Sequence, residues 1–340
     1  MQNYRPAIVV QIKRYYLNIL FFILVLIMGL RGISVGVDTL NYLEIFEDIS
    51  KASFNSLISG FFYGSQEIGF VVYVKLISLI WSNYQFYLLI SAFLYCFLFK
   101  RFIEHSTKDY FIASIIFLSV GIYLGAFNMF RQMFAIALLI NAWLYFKEKR
   151  FYLTILISLL AFTFHVSSIF FVIVYVIYAL KDRVRIIRFI PLILLLVYGI
   201  FDILLDKFAP YLMHYNNYLD NHKTIQEANS VIMLWIIEVI ISLYFIYKPQ
   251  INSSYRFIGC MCMVYVLMNI IGLKFNYIER LGLYFSPFLI LLFCNLSDII
   301  NNRIVKDILF IGIVSCFLIY FILSTKSEQY MYTSPLLNFT

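Results

Sequence analysis

Charge is what this chain has least of. Only 13% of its 340 residues are Asp, Glu, Lys or Arg, 63% are hydrophobic, and the mean hydropathy is +0.88. An ordinary soluble domain carries about 25% charged residues, so this balance excludes a water-soluble globule and leaves a polytopic membrane protein. Histidine is also scarce, at four residues. The chain has no clustered His pair, no CxxC, no P-loop and no glycine-rich dinucleotide loop, so neither a metal nor another cofactor is expected. Its five cysteines, Cys96, Cys260, Cys262, Cys294 and Cys316, all sit inside apolar runs and read as core filler.

What is present is a series of apolar runs of bilayer-crossing length, roughly twenty residues each for a hydrocarbon core about 30 Å thick. They cover 15–30, 85–102, 109–126, 129–146, 151–164, 166–180, 186–202, 231–247, 255–273, 281–297 and 307–324. The expected fold is therefore an all-α polytopic transmembrane bundle of about 11 spans, forming one integral membrane domain over 1–340. Lys13 and Arg14 precede the first run, but Gly-Leu-Arg follows it instead of a small-residue cleavage site, so the run reads as an uncleaved anchor. With the N-terminus in the cytoplasm, most of the 26 Lys and Arg residues fall in cytoplasmic segments. The net charge of +8 thus orients the chain and implies no nucleic-acid partner.

Two segments break the pattern. EIGFVVYVKLISLI, 67–80, is only about 21 Å of helix and carries Lys75 mid-segment; as a span it would also push KRFIEHSTKD outward. It is expected as an interfacial or re-entrant helix within an outer loop, 31–84. The run 151–180 is flanked by KEKR and KDRVR, both of cytoplasmic character, so it is expected to enter and return as a short helical hairpin with His165 recessed below the outer surface. Glu238, near the middle of its span, reads as a protonated structural acid or a partner for an arginine, ahead of a proton relay.

In this topology the polar residues that interrupt apolar runs gather on the outer side. Arg31, Asp38, Asn41 and Glu67 lie in the first outer loop; Asn128, Arg131 and Gln132 at the turn FNMFRQ; His165 at the hairpin; Glu279 and Arg280 at the start of a span. Ionisable groups so near a membrane are costly enough to suggest function. Arginine recognises phosphate bidentately, and outside a membrane a pyrophosphate would belong to a lipid carrier. A second outer loop, 203–230, interleaves Tyr211, His214, Tyr215 and amides, the groups against which sugar rings and hydroxyls pack.

The succession RGISVGVDTLNY, QEIGF, FNMFRQMFAIALLINAW, then FHVSSIF and YIERLGLYF resembles the EpsG family of exopolysaccharide (Wzy-like) polymerases. The likeness is strongest over 29–180 and weaker over 270–290, and Ile68 stands where the family often has proline. The resemblance implies a membrane glycosyltransferase that joins oligosaccharide repeat units carried on undecaprenyl pyrophosphate, at the external face of the cytoplasmic membrane. Its implied partners are that lipid-linked oligosaccharide, membrane lipid, and chain-length-regulator and flippase proteins. On this reading Arg131 and Arg280 hold the pyrophosphate with Arg31 assisting, and His165 is the first candidate for general base. Asp38 or Glu67 is the alternative base, or the group that orients the histidine. Tyr42, Asn128, Gln132, Tyr211 and Tyr215 are candidate sugar contacts. The rival readings are a transporter or flippase of lipid-linked glycans, expected to show paired broken helices in two halves, and a membrane O-acetyltransferase.

Overall fold

The computed structural model describes residues 4–58, 66–208, 225–249, 251–300, 302–326 and 330–335. The protein is all-α. Long apolar runs, poor in proline and glycine, satisfy their backbone groups within each segment, as a membrane demands. In chain order the helices are α1 (Tyr4–Gly29), α2 (Thr39–Lys51), α3 (Phe54–Ile58), α4 (Ile68–Ile80), α5 (Tyr84–Ser106), α6 (Tyr110–Ser119), α7 (Ile122–Asn128) and α8 (Phe130–Lys147). There follow α9 (Phe151–Phe164), a 3-10 turn (Val166–Phe171), α10 (Val172–Ala179), α11 (Val184–Phe208), α12 (Ile225–Tyr247), α13 (Ser253–Gly272), α14 (Asn276–Gly282), α15 (Pro287–Ile299) and α16 (Arg303–Thr325).

Among the described residues six helical segments are long and apolar enough to cross a membrane, and five shorter apolar helices accompany them, including 68–80, 151–164 and 166–179. The protein is thus a multi-pass helical bundle. Every apolar run read from the sequence falls on helix, with two differences in detail. The run 109–126 is divided near Gly121, whose φ of +74° suits glycine. The run 281–297 does not begin at Arg280, because that residue belongs to the separate helix α14 and the apolar helix starts at Pro287, with proline in its first turn.

Contacts group the chain into two units. Unit 1 comprises Met1–Phe111, Tyr123–Ser168 and Ile322–Thr340. Its centre is α8, which is buried nearly throughout from Phe130 to Leu144 and packs against α5 and α9. Asn141 ties α8 to α5: its Nδ2 donates to the Leu98 carbonyl at 3.0 Å and its Oδ1 accepts from Arg101 at 2.6 Å. Lys75 of α4 is 6% exposed, and its ammonium donates to the carbonyls of Ser50 (3.0 Å) and Ala52 (2.7 Å) at the C-terminal end of α2. A cation there satisfies carbonyls the helix leaves open. The charge that marked 67–80 as unlike a span is therefore satisfied inside the fold.

Unit 2 comprises Ile112–Ile122 and Ile169–Phe321. Here α13 is central, touching α10, α11, α12, α14 and α15. Phe257 of α13 stands edge-on to Phe288, with ring centroids 5.4 Å apart, and to Tyr178 at 5.1 Å. By contrast α11 and α16 keep most of their apolar side chains exposed, as lipid-facing helices do.

Candidate functional site

The turn after α1 is built for close contact. Gly36 has φ +93°, and a Cβ there would meet the Phe127 carbonyl at 2.8 Å and the Asn128 side chain at 2.9 Å. Only glycine fits both demands. The turn is then held by Asn128, whose Oδ1 accepts from the Val37 amide at 2.9 Å. Asp38 follows at the N-cap of α2, where its carboxylate makes no bond to the helix. The side chain is half-buried.

QEIGF turns out to be one working piece. Glu67 precedes α4, and Gly69 lies so close to Thr163 of α9 that any larger side chain would strike it. That approach brings Glu67 to the end of α9, where the helix stops at His165 with extended backbone, φ −160° and ψ 117°. Glu67 Oε1 accepts from His165 Nδ1 at 2.7 Å and from the Val166 amide at 3.4 Å. No proline or glycine marks this break. The carboxylate supplies the acceptor that the first amide of the following turn requires.

The other carboxylate oxygen, Oε2, accepts from Arg131 at the start of α8. The Arg131 guanidinium lies over the Phe70 ring, 5.7 Å from its centroid, and also hydrogen-bonds Tyr42. Tyr42 stands edge-on to Phe70 at 5.8 Å. One carboxylate is therefore shared between an imidazole and a guanidinium, on a floor of two aromatic rings. The side chains of Glu67, Arg131 and His165 are 15, 23 and 26% exposed, enough to be reached from outside. Burial alone would push the Glu67 carboxyl up, but the hydrogen bond with His165 and the charge of Arg131 outweigh it and bring it down to about 2. In the tautomer this contact selects, an ionised Glu67 holds the ring proton on Nδ1 and leaves Nε2 as the acceptor.

Arg31 is near this cluster in sequence role but different in setting. It is 2% exposed, donates to the Met28 carbonyl at 2.8 Å and stacks over Phe127 at 4.7 Å. Its Nε has no hydrogen-bond partner. Burial pushes the guanidinium down from the ordinary arginine range, and the groups that oppose this are the tyrosines 84, 87, 123 and 42, with no acid among them.

Of the residues picked out from sequence, the structure brings together Glu67, Arg131, His165 and Tyr42, all in unit 1. Asn128 has both ends of its amide engaged, with Val37 and with the Tyr330 hydroxyl at 3.2 Å, and Gln132 is buried at 4% exposure. Arg280 is exposed on α14, in unit 2. Tyr211 and Tyr215 lie outside the described residues. Sequence reading missed Phe70 as the platform under Arg131, although an aromatic directly after the glycine and three residues past the acid was a signal. It also missed the contribution of residues 330–335, which carry no motif.

A family model for EpsG matches residues 14–338, nearly the whole chain. The chain belongs to the EpsG family. No curated protein and no solved structure matches it. Membership implies an exopolysaccharide-polymerase-like function of the glycosyltransferase type. The EpsG match takes in the shared-carboxylate cluster and residues 330–335 alike.

Proposed function

We propose that this EpsG-family protein joins oligosaccharide repeat units carried on undecaprenyl pyrophosphate, at the external face of the cytoplasmic membrane. The observation that carries the reading is the single Glu67 carboxylate held between His165 and Arg131. It pairs a proton acceptor with a fixed cation, the two functions that transfer from a diphosphate leaving group requires.

In this reading the acceptor sugar hydroxyl attacks the anomeric carbon of the donor. Its proton passes to His165 Nε2 as the new C–O bond forms. Glu67 keeps the imidazole in the right tautomer and stabilises it once charged, as an orienting carboxylate does in other nucleophile–base systems. The bond between the anomeric carbon and the diphosphate oxygen breaks, and the electron pair leaves on the lipid diphosphate. Arg131 stabilises that growing charge, with Arg31 as a further cation. Tyr42 holds the Arg131 fork, and Asp38, uncommitted to its helix, is the alternative base. The bias of Lys and Arg toward cytoplasmic segments supports placing this cluster outside.

The test is His165→Ala in the full-length chain. Polymer formation should fall by about 10²- to 10⁴-fold, the usual contribution of a general base, while lipid-linked single repeat units accumulate. Near-normal polymer at normal protein level would remove His165 from the chemistry.

A further inference from the structure

Residues 330–335 come back from the end of α16 to lie on the turn after α1. The Gly32 amide donates to the Thr333 carbonyl at 2.7 Å, the Ser34 and Thr333 hydroxyls are 2.7 Å apart, and the Tyr330 hydroxyl accepts from Asn128 at 3.2 Å. Gly32 is what admits the strap, since a Cβ there would strike the Thr333 side chain. Tyr332 is close enough to feel the charge of Arg31. Directly beside these contacts is Arg31, 2% exposed, with no ion pair among the described residues and with its Nε unpartnered. A buried cation in that state is incomplete: an anion would supply both the counter-charge and the missing acceptor. The strap itself is held by neutral hydrogen bonds, and Ser34 and Tyr332 lie at the exposed surface. Arg31 is strongly enclosed, while the hydrogen bonds that hold the strap beside it carry no charge, and within the strap only Ser334 is buried.

We infer that the strap Tyr330–Pro335 is a movable cover over Arg31, which lifts to admit a diphosphate group and closes when that group has left. The inference rests on the polyprenyl-diphosphate reading for the identity of the ligand. Its geometry needs only an anion of that chemistry. Thr333, Ser34 and Tyr330 are then positioning residues that set how readily the arginine is uncovered.

The strap can be locked. The 2.7 Å separation of the Ser34 and Thr333 oxygens is close to the roughly 2 Å S–S distance of a disulfide, so Ser34→Cys with Thr333→Cys should cross-link on mild oxidation. Binding is measured on the full chain in nanodiscs with two probes, undecaprenyl diphosphate and inorganic pyrophosphate, and melting temperatures of the oxidised and reduced forms check that both are folded. The reduced double variant, which loses the hydroxyl contact, should bind at least as tightly as the unmodified protein. Oxidation should weaken binding at least tenfold, and reductant should restore it. With Arg31→Gln added, binding should already be weak and oxidation should change it little. Equal binding by the locked and reduced forms would overturn the cover, as would full binding by Arg31→Gln. Lock-sensitive binding of pyrophosphate without binding of the lipid keeps the cover and rejects the polyprenyl reading; binding of neither probe rejects the cover. A second measurement avoids cysteines: the Gly32 amide, slow to exchange with deuterium while bonded to Thr333, should exchange faster when the bound probe is present. Unchanged protection with the probe bound would count against the strap lifting.

Discussion

Glu67 and Glu238 are both glutamates that the fold withdraws from water, and their surroundings are opposite. In unit 1, Glu67 has both oxygens occupied, by His165 and Val166 on one side and Arg131 on the other. In unit 2, Glu238 is 2% exposed on α12, its Oε2 has no hydrogen-bond partner, and the Ser242 hydroxyl one turn further on lacks one too. Cys262 and Tyr265 of α13 lie near it. A paired, partly open carboxylate can organise a reaction. A closed one in apolar surroundings contributes to packing and little else. On the proposed function, the difference separates chemistry from scaffold within one chain of uniform composition.

The sharpest way to break the comparison is at Arg131. Lysine keeps the charge but lacks the planar fork, so it cannot serve Glu67, Tyr42 and a diphosphate from fixed directions. Arg131→Lys should leave expression and membrane insertion intact and reduce polymer by roughly 10²-fold, the scale of removing one transition-state donor. Polymer within a factor of about three of normal would return Arg131 to a structural role; the factor is a rough threshold against that scale.

Glu67→Gln tests the pairing itself through acid stability. The carboxyl is lowered from 4.5 to about 2 on folding, so its stabilisation is fully present above the unfolded value and is lost as pH falls toward about 2. Melting of the purified protein should therefore decline with acid across that window. Glu67→Gln should start less stable at neutral pH and show a flatter decline. Identical pH profiles for the two proteins would mean that the pair contributes nothing to folding.

Lys75→Met probes a charge in unit 1 that is partnered by backbone carbonyls and has no part in the proposed reaction. Losing the ammonium leaves the α2 carbonyls unsatisfied, which should cost about 1–3 kcal/mol, read as a lower melting temperature. Activity per folded molecule should not change. The smallest effect is expected at Glu238→Gln. The amide matches the acid in shape, and no ion pair is lost, so stability and polymer should both stay within about twofold of normal, the spread typical of substitutions that remove no partner. A severe loss there would place a function in unit 2.

Some of this was legible locally. An apolar run long enough to span a bilayer forms a helix because its backbone must satisfy itself, whatever its neighbours are; hence each run from 15–30 to 307–324 lies on helix. His165 stood out as a polar break in a run of thirty apolar residues, and the helix does stop there. The glycine-rich corner announced a special turn, and Gly36 adopts one. Lys75 marked 67–80 as unlike a span, and the helix there is one of the shorter apolar ones; the carbonyls that absorb its charge belong to another helix and leave no trace around it in the sequence.

Sequence alone therefore determined the class of protein, the placement of its helices and the set of side chains suited to the chemistry. These follow from composition and from spacings within a single turn or run, where the physics is local. Tertiary structure alone decided which of those side chains meet. Glu67 and His165 are 98 residues apart, and Ser34 and Thr333 are 299 apart. Such contacts depend on how α4 seats against α9 at Gly69 and on where the strap comes to rest, and those are properties of packing between distant segments that no local pattern encodes.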